Sequence, residues 1–167
     1  MPRIAAGLLL LSLGTTLHAQ GLITTQKLSA ALANELVGES VADCARKGYK
    51  VVAVVVDLDG VRQAMLRGDG APIHSVDNAY YKAYSIASIG LSRKEETSKQ
   101  MFDRMAKAAP TTVPQTPLPN VTYAQGAIAI MVGGATIGGL GVSGAPGGQF
   151  DEECARTALG RIKDKMK

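Results

Sequence analysis

The 167-residue chain has no tryptophan, two phenylalanines, two cysteines and two histidines, and aromatic residues make up only 4% of it. Two histidines exclude a zinc site built on several imidazoles. Cys44 and Cys154 are too few for a disulfide scaffold, and their spacing fits no zinc motif. No basic stripe is interleaved with aromatics, so a nucleic-acid surface is not expected. Beyond the first twenty residues no run is long and apolar enough for a membrane span, which takes roughly 20 residues.

Catalytic patterns are equally scarce. Gly133 to Gly141 has glycine spacings like those of a phosphate loop, but no lysine follows and the stretch reads as a hairpin. Ser143 lacks the surroundings of a nucleophile elbow. Asp57 and Asp59 are explained by turn formation better than by paired acid–base chemistry.

What is present begins with an export signal. Arg3 precedes a mostly apolar run, Ile4 to Leu17, and Leu17-His18-Ala19 offers a small residue for cleavage before Gln20. Residues 1–19 therefore read as a signal peptide and residues 20–167 as one domain, periplasmic or secreted, with room for a real core. Loss of Arg3 lowers the net charge from +4 to +3. The excess, in the 161–167 tail and around Arg93 to Lys107, reads as solvated surface.

The periodicity predicts a helix over residues 24–47, stopped at Gly48. Val51 to Asp57 is a β-branched run typical of a strand buried on both faces, and Asp59-Gly60 turns it into a partner over residues 61–67. Ser75 is placed to cap a second helix to about Ser88. Gly90 breaks it, and Ser92 to Glu95 reads as a capping box for a third helix to about Ala108. Four prolines in residues 110–119 predict an extended connector. Residues 127–132 and 135–142 are strands joined through Gly133-Gly134. Gly138, Gly139 and Gly141 imply that something bulky, or another backbone, lies against the second of these. A final helix is expected from near Asp151. The order is α+β.

After signal cleavage one histidine is left, His74, just before the cap of the second helix. A single imidazole suffices for axial ligation of haem iron, since the macrocycle supplies the other four nitrogens. The N-terminal end of a helix favours a neutral ring over a charged one, and a metal ligand must be neutral. Tyr80 and Tyr84 lie one turn apart and share a helix face, offering flat apolar wall for the same cleft. Arg62 and Arg67 on the preceding strand are candidates to meet propionates. An exposed loop histidine with tyrosines in a core or interface accounts for the same residues without haem.

Three stretches then point further. The VDxxG turn (Val56 to Gly60), the pair Lys82-Ala83, and Gly141-Val142-Ser143-Gly144-Ala145 before an acidic helix start resemble the GlcG/HbpS family of haem-binding proteins, also labelled haem-degrading domains. Pro72-Ile73-His74 is similar to a Pro-x-His step in exported members. Arg67-Gly68-Asp69-Gly70-Ala71 departs from a frequent Arg-Met-Asp-Gly-Ala, and Gly126 to Ala129 from a more usual Gly-Gly-x-Pro. The resemblance implies an antiparallel sheet of about five strands flanked by helices, a homo-oligomer of two or more chains, and haem held near a subunit interface. It also places the terminal helices on one sheet, so a Cys44–Cys154 bridge is expected, with two buried free thiols as the alternative. The functional reading is an exported protein that stores, carries or senses haem through His74. The alternatives are a haem-degrading or peroxidase-like enzyme, or an accessory domain for another small molecule.

Overall fold

The structure, a computed structural model, describes residues 21–108 and 117–166. The expected signal peptide and most of the proline connector lie outside them.

Four strands form one antiparallel sheet in the order β2-β1-β4-β3: β1 Val52–Asp57, β2 Arg62–Arg67, β3 Ala127–Val132 and β4 Ala135–Ser143. About five strands were expected; among the described residues there are four. The two hairpins predicted from sequence pair through their central members, Val52 opposite Ser143 and Asp57 opposite Gly138. β1 is buried along its whole length. Its alternating side chains serve two cores. Ala53 and Val55 pack with Leu36, Val37 and Ile162 from α1 (Ala30–Arg46) and α5 (Gly148–Ile162). Val52, Val54 and Val56 pack with Ala79, Tyr80 and Ala83 of α2 (His74–Ser85).

The glycines of β4 let α2 sit almost on the sheet. A Cβ on Gly141 would overlap the Ala79 carbonyl oxygen and come within 2.6 Å of the Ala83 nitrogen, and one on Gly139 would overlap the Ala83 carbonyl oxygen. Another backbone does lie on this strand, as its glycines implied, with Gly138 fitted against the Val56 carbonyl of β1. Gly141→Ala should therefore cost about 1–3 kcal/mol, the usual penalty for overpacking, and chemical denaturation measures it. The hairpin of β3 and β4 is covered by α2 and α5 of its own chain. Its apolar composition thus needs no partner chain to explain it.

Helix ends differ from the sequence reading in instructive ways. α1 starts at Ala30 rather than near Thr24, because Ser29 takes the cap and accepts from the Leu32 N–H at 3.2 Å. The preceding segment has no regular secondary structure and carries Lys27 to Asp57, 3.1 Å away. Burial opposes ionisation of Asp57, but the Lys27 ammonium and the N–H groups of Val61 and Asp59 outweigh it and hold its pKa below the ordinary value. α2 starts before Ser75, after a turn in which Ser75 N–H donates to the Pro72 carbonyl. Ser75 is therefore no cap; its hydroxyl is buried without a hydrogen-bond partner.

Gly90 does not break the second helix. The chain continues through a π-helical turn, Ile86–Gly90, into the short α3 (Leu91–Arg93) and stops at Lys94 with φ of 57°. Ser92 is inside this run and bonds the Ile89 carbonyl, so Ser92 to Glu95 is not a capping box. The box that forms is Thr97 with Gln100, opening α4 (Ser98–Lys107). α5 begins three residues before Asp151, because Gly147 is extended and releases the helix there.

Cys44 and Cys154 form a disulfide between α1 and α5, with Cα atoms 5.5 Å apart and both residues fully buried. No helix among the described residues is long and apolar enough to cross a membrane.

Candidate functional site

A cleft of about 630 Å³ opens where the N-terminal half of α2 meets the turn between β4 and α5. His74, Asn78 and Lys82 line it at intervals of four residues, so one stripe of α2 forms its wall. Ser143 at the end of β4, and Gln149 and Asp151 on the first turns of α5, line the facing side. Pro72, Phe102, Ala124, Ala145 and Pro146 add apolar surface.

Two polar links hold the floor. Lys82, 3% exposed, donates to Asp151 Oδ2 at 2.8 Å and to the Val142 carbonyl at 3.0 Å. Asp151 Oδ1 accepts from the Ala145 N–H at 3.0 Å, fixing the turn before α5. Burial raises the Asp151 pKa above the ordinary carboxylate value, although the Lys82 ammonium beside it pulls the other way. The carboxylate retains its bond to Lys82 because a buried charge is tolerated only when paired and hydrogen-bonded. Nearer the rim, Asn78 donates to Ser143 Oγ at 2.9 Å. Behind the cleft, Ser98 Oγ accepts from the Gly126 and Ala127 N–H groups at 2.8 Å each and donates to Glu152 at 3.2 Å, tying α4 to α5 and β3.

The residues predicted for one cleft separate into two groups. His74 is exposed and stands on the cleft. Tyr80 and Tyr84 are not on it: at about 100° per residue they lie roughly 80–120° round the helix from His74, toward β2. There the Arg62 guanidinium sits 3.5 Å from the centre of the Tyr80 ring, and the Tyr80 hydroxyl donates to the Gly60 carbonyl at 3.1 Å. Tyr84 packs at 5.9 Å from Tyr80, against Gly60. Arg67 gives both Nε and Nη2 to the Ala71 carbonyl, at 2.9 and 2.6 Å, and so braces the loop into α2. Tyr80 and Tyr84 do pack with each other as their spacing implied, but they do not line the cleft on which His74 stands. Among the described residues, no group of three or more His, Cys, Asp or Glu is placed to hold a metal ion.

Asn78, Gln149, Ser143 and Asp151 were not singled out as site residues. A signal for the floor was nevertheless present. Lys82 falls on the same helical stripe as Ala79, Ala83 and Ile86, and a lysine among core positions requires a buried acid somewhere in the chain.

Residues 28–160 match the family model described as haem degrading protein HbpS-like. The chain belongs to that family. HbpS has the same fold, with 28% identity, a TM-score of 0.76, and coverage of 89% of this chain and 99% of the other. A double mutant of Streptomyces reticuli HbpS gives the same identity and score, with 95% of that chain covered. PduOC, solved as its haem complex, is 25% identical at a TM-score of 0.69, over 81% of this chain and 94% of that one. No curated protein sequence matches the chain.

Proposed function

We propose that this HbpS-like protein is exported and binds haem in the α2–α5 cleft, with His74 as the protein ligand to the iron. The observation that carries the reading is chemical. The one imidazole after residue 18 stands on a cleft whose volume falls in the roughly 300–1,000 Å³ range of cofactor sites. The donor set fits haem rather than a free metal ion, since one imidazole is a complete protein contribution only when a macrocycle supplies the rest. That PduOC is a haem complex supports the same reading.

When bound, the iron would bring ligand-binding and redox chemistry to the site. The chain's own residues do the rest. His74 offers a ring nitrogen. Phe102, Pro72 and Pro146 present apolar surface to a flat ligand and exclude water. Asn78, Gln125 and Gln149 give amide groups for its polar edge. Arg62, Arg67, Tyr80 and Tyr84 do not line this cleft.

Substituting His74→Ala should shift or abolish the Soret band of the haem complex while leaving the circular dichroism of the protein unchanged, because His74 is exposed. An unchanged spectrum and affinity would overturn the assignment. The family description names haem degradation, which makes turnover the second reading. Incubation with peroxide or a reductant distinguishes the two: degradation bleaches the Soret band irreversibly, whereas storage, carriage or sensing leaves it recoverable.

Export rests on the residues 1–19 pattern, and the buried Cys44–Cys154 bridge supports it, because such bonds persist in oxidising compartments. Assembly into a homo-oligomer is supported by the open edge of the sheet. The β3 edge is shielded by Glu96 and Thr97, whose backbones bond Ala129 and bridge Ile128. Among the described residues β2 has no such cover, and it exposes Met65 and Leu66, with Val61 just before it, at 41–58%. Light scattering should return a mass of at least two chains, and a clean monomer mass would refute this.

A further inference from the structure

We infer that the exported chain carries a modification at its N-terminus: Gln20, freed by cleavage after Ala19, cyclises to pyroglutamate. This rests on the export reading above and goes beyond it; it does not depend on haem. A glutamine at the start of a chain holds both reacting groups, its α-amine and its side-chain amide. The fold decides whether the two are free to meet.

Residues 21–27 are exposed and have no regular secondary structure. Leu22 and Ile23 are 87% and 91% exposed. Among the described residues, no hydrogen bond or ion pair holds Gly21 to Gln26. The anchors come after them. Lys27 reaches Asp57 at 3.1 Å, the Leu28 carbonyl accepts from Gln63 at 3.0 Å, and the Leu28 side chain is buried. From Lys27 back to Gln20 the chain spans up to roughly 25 Å, at ~3.5 Å per residue, so the anchor does not confine the terminus.

Nothing near the new terminus competes for its amine. The stretch Gln-Gly-Leu-Ile-Thr-Thr-Gln, residues 20–26, carries no acid. Asp57 and Asp59, the carboxylates at the first anchor, already face Lys27. Gly21 sets no side chain beside the reacting atoms, and a Cβ built there would meet nothing within 4 Å.

The α-amine of a protein chain titrates at about 7.7–8.0, so part of it is neutral and nucleophilic at neutral pH. The Gln20 α-nitrogen attacks the side-chain Cδ and forms a new C–N bond. The bond from Cδ to the amide nitrogen breaks, and that nitrogen leaves as ammonia with the proton lost by the α-nitrogen. No redox partner is needed. The lactam removes one positive charge that no partner would have paired, and it leaves aminopeptidases no free amine.

The test exports the full chain from a bacterial host and records the intact mass of the purified protein. The expected mass is that of residues 20–167 with the disulfide, less one ammonia. Stepwise N-terminal sequencing should be blocked, then begin at Gly21 after treatment with pyroglutamyl peptidase. Gln20→Ala should restore a sequenceable terminus with unchanged circular dichroism. Protein prepared with an uncyclised Gln20 should be converted by added glutaminyl cyclase as fast as a peptide of residues 20–27. A mature chain that keeps Gln20 with a free amine would overturn the inference, as would folded protein that the cyclase converts far more slowly than the peptide. An uncleaved chain instead refutes the export reading, and a chain starting elsewhere refutes cleavage at Ala19. Both remove the premise of the inference, and the mass distinguishes them from a failure to cyclise.

Discussion

Lys82→Met is expected to lower the unfolding free energy by about 3–5 kcal/mol, the usual cost of removing one partner of a buried ion pair. Methionine keeps most of the stem's volume, so the loss is electrostatic. Asp151 would be left 2% exposed without its cation, and the Val142 carbonyl would lose a donor. The effect should depend on pH in a defined direction. Burial already raises the Asp151 pKa above its unfolded value near 3.9. Without Lys82 it rises further, so the cost is complete above that raised pKa and fades as pH falls through it, where the carboxyl is neutral in the folded state. Urea titrations at neutral and mildly acidic pH should show the gap from the parent protein narrowing with acid. Adding Asp151→Asn to the variant should restore part of the loss at neutral pH, because the amide oxygen still accepts from Ala145 without a charge. A cost below about 1 kcal/mol at neutral pH, unchanged by acid, would mean that the pair is not what holds α2 to α5.

Removal of the disulfide is the second large effect. Replacing both Cys44 and Cys154 by alanine should cost about 2–5 kcal/mol, and the upper end is favoured because the two residues are 110 apart in sequence. The bridge joins the first and last helices of the domain. Without it, the unfolded chain regains the freedom of nearly its whole length. Both sulfurs are buried, so the folded protein should resist mild reductant and lose the bond only on unfolding. Thiol titration of unfolded, unreduced protein should find no reactive group, and two per chain would refute the bridge.

Local pattern carried most of the secondary structure. Val51 to Asp57 had to be a strand buried on both faces, because every other residue along it is also β-branched or apolar. The glycines of β4 announced a close backbone contact, and α2 supplies it. Helix ends were less legible. Ser75 and Ser92 have the right residue type for caps, but a cap needs a chain that turns there, and in both places the helix is already under way. Gly90 reads as a breaker in isolation. In the fold its missing side chain makes room for Ile86, whose Cδ1 would lie 2.6 Å from a Cβ there.

The sequence by itself determined the α+β class, both hairpins, the family and the place of His74 as the one histidine after residue 18, since each rests on residue identity or on neighbours a few positions apart. It also bounded the chemistry: two histidines and two cysteines are too few for a zinc site built on several imidazoles or for a disulfide scaffold. Only the tertiary structure decided what His74 shares a cleft with. Lys82 and Asp151 are 69 residues apart, and Asn78 and Ser143 are 65 apart. No helical or strand period relates such positions. They meet because β4 brings its last residue, and the helix that follows it, against the one face of α2 that the glycines allow to approach.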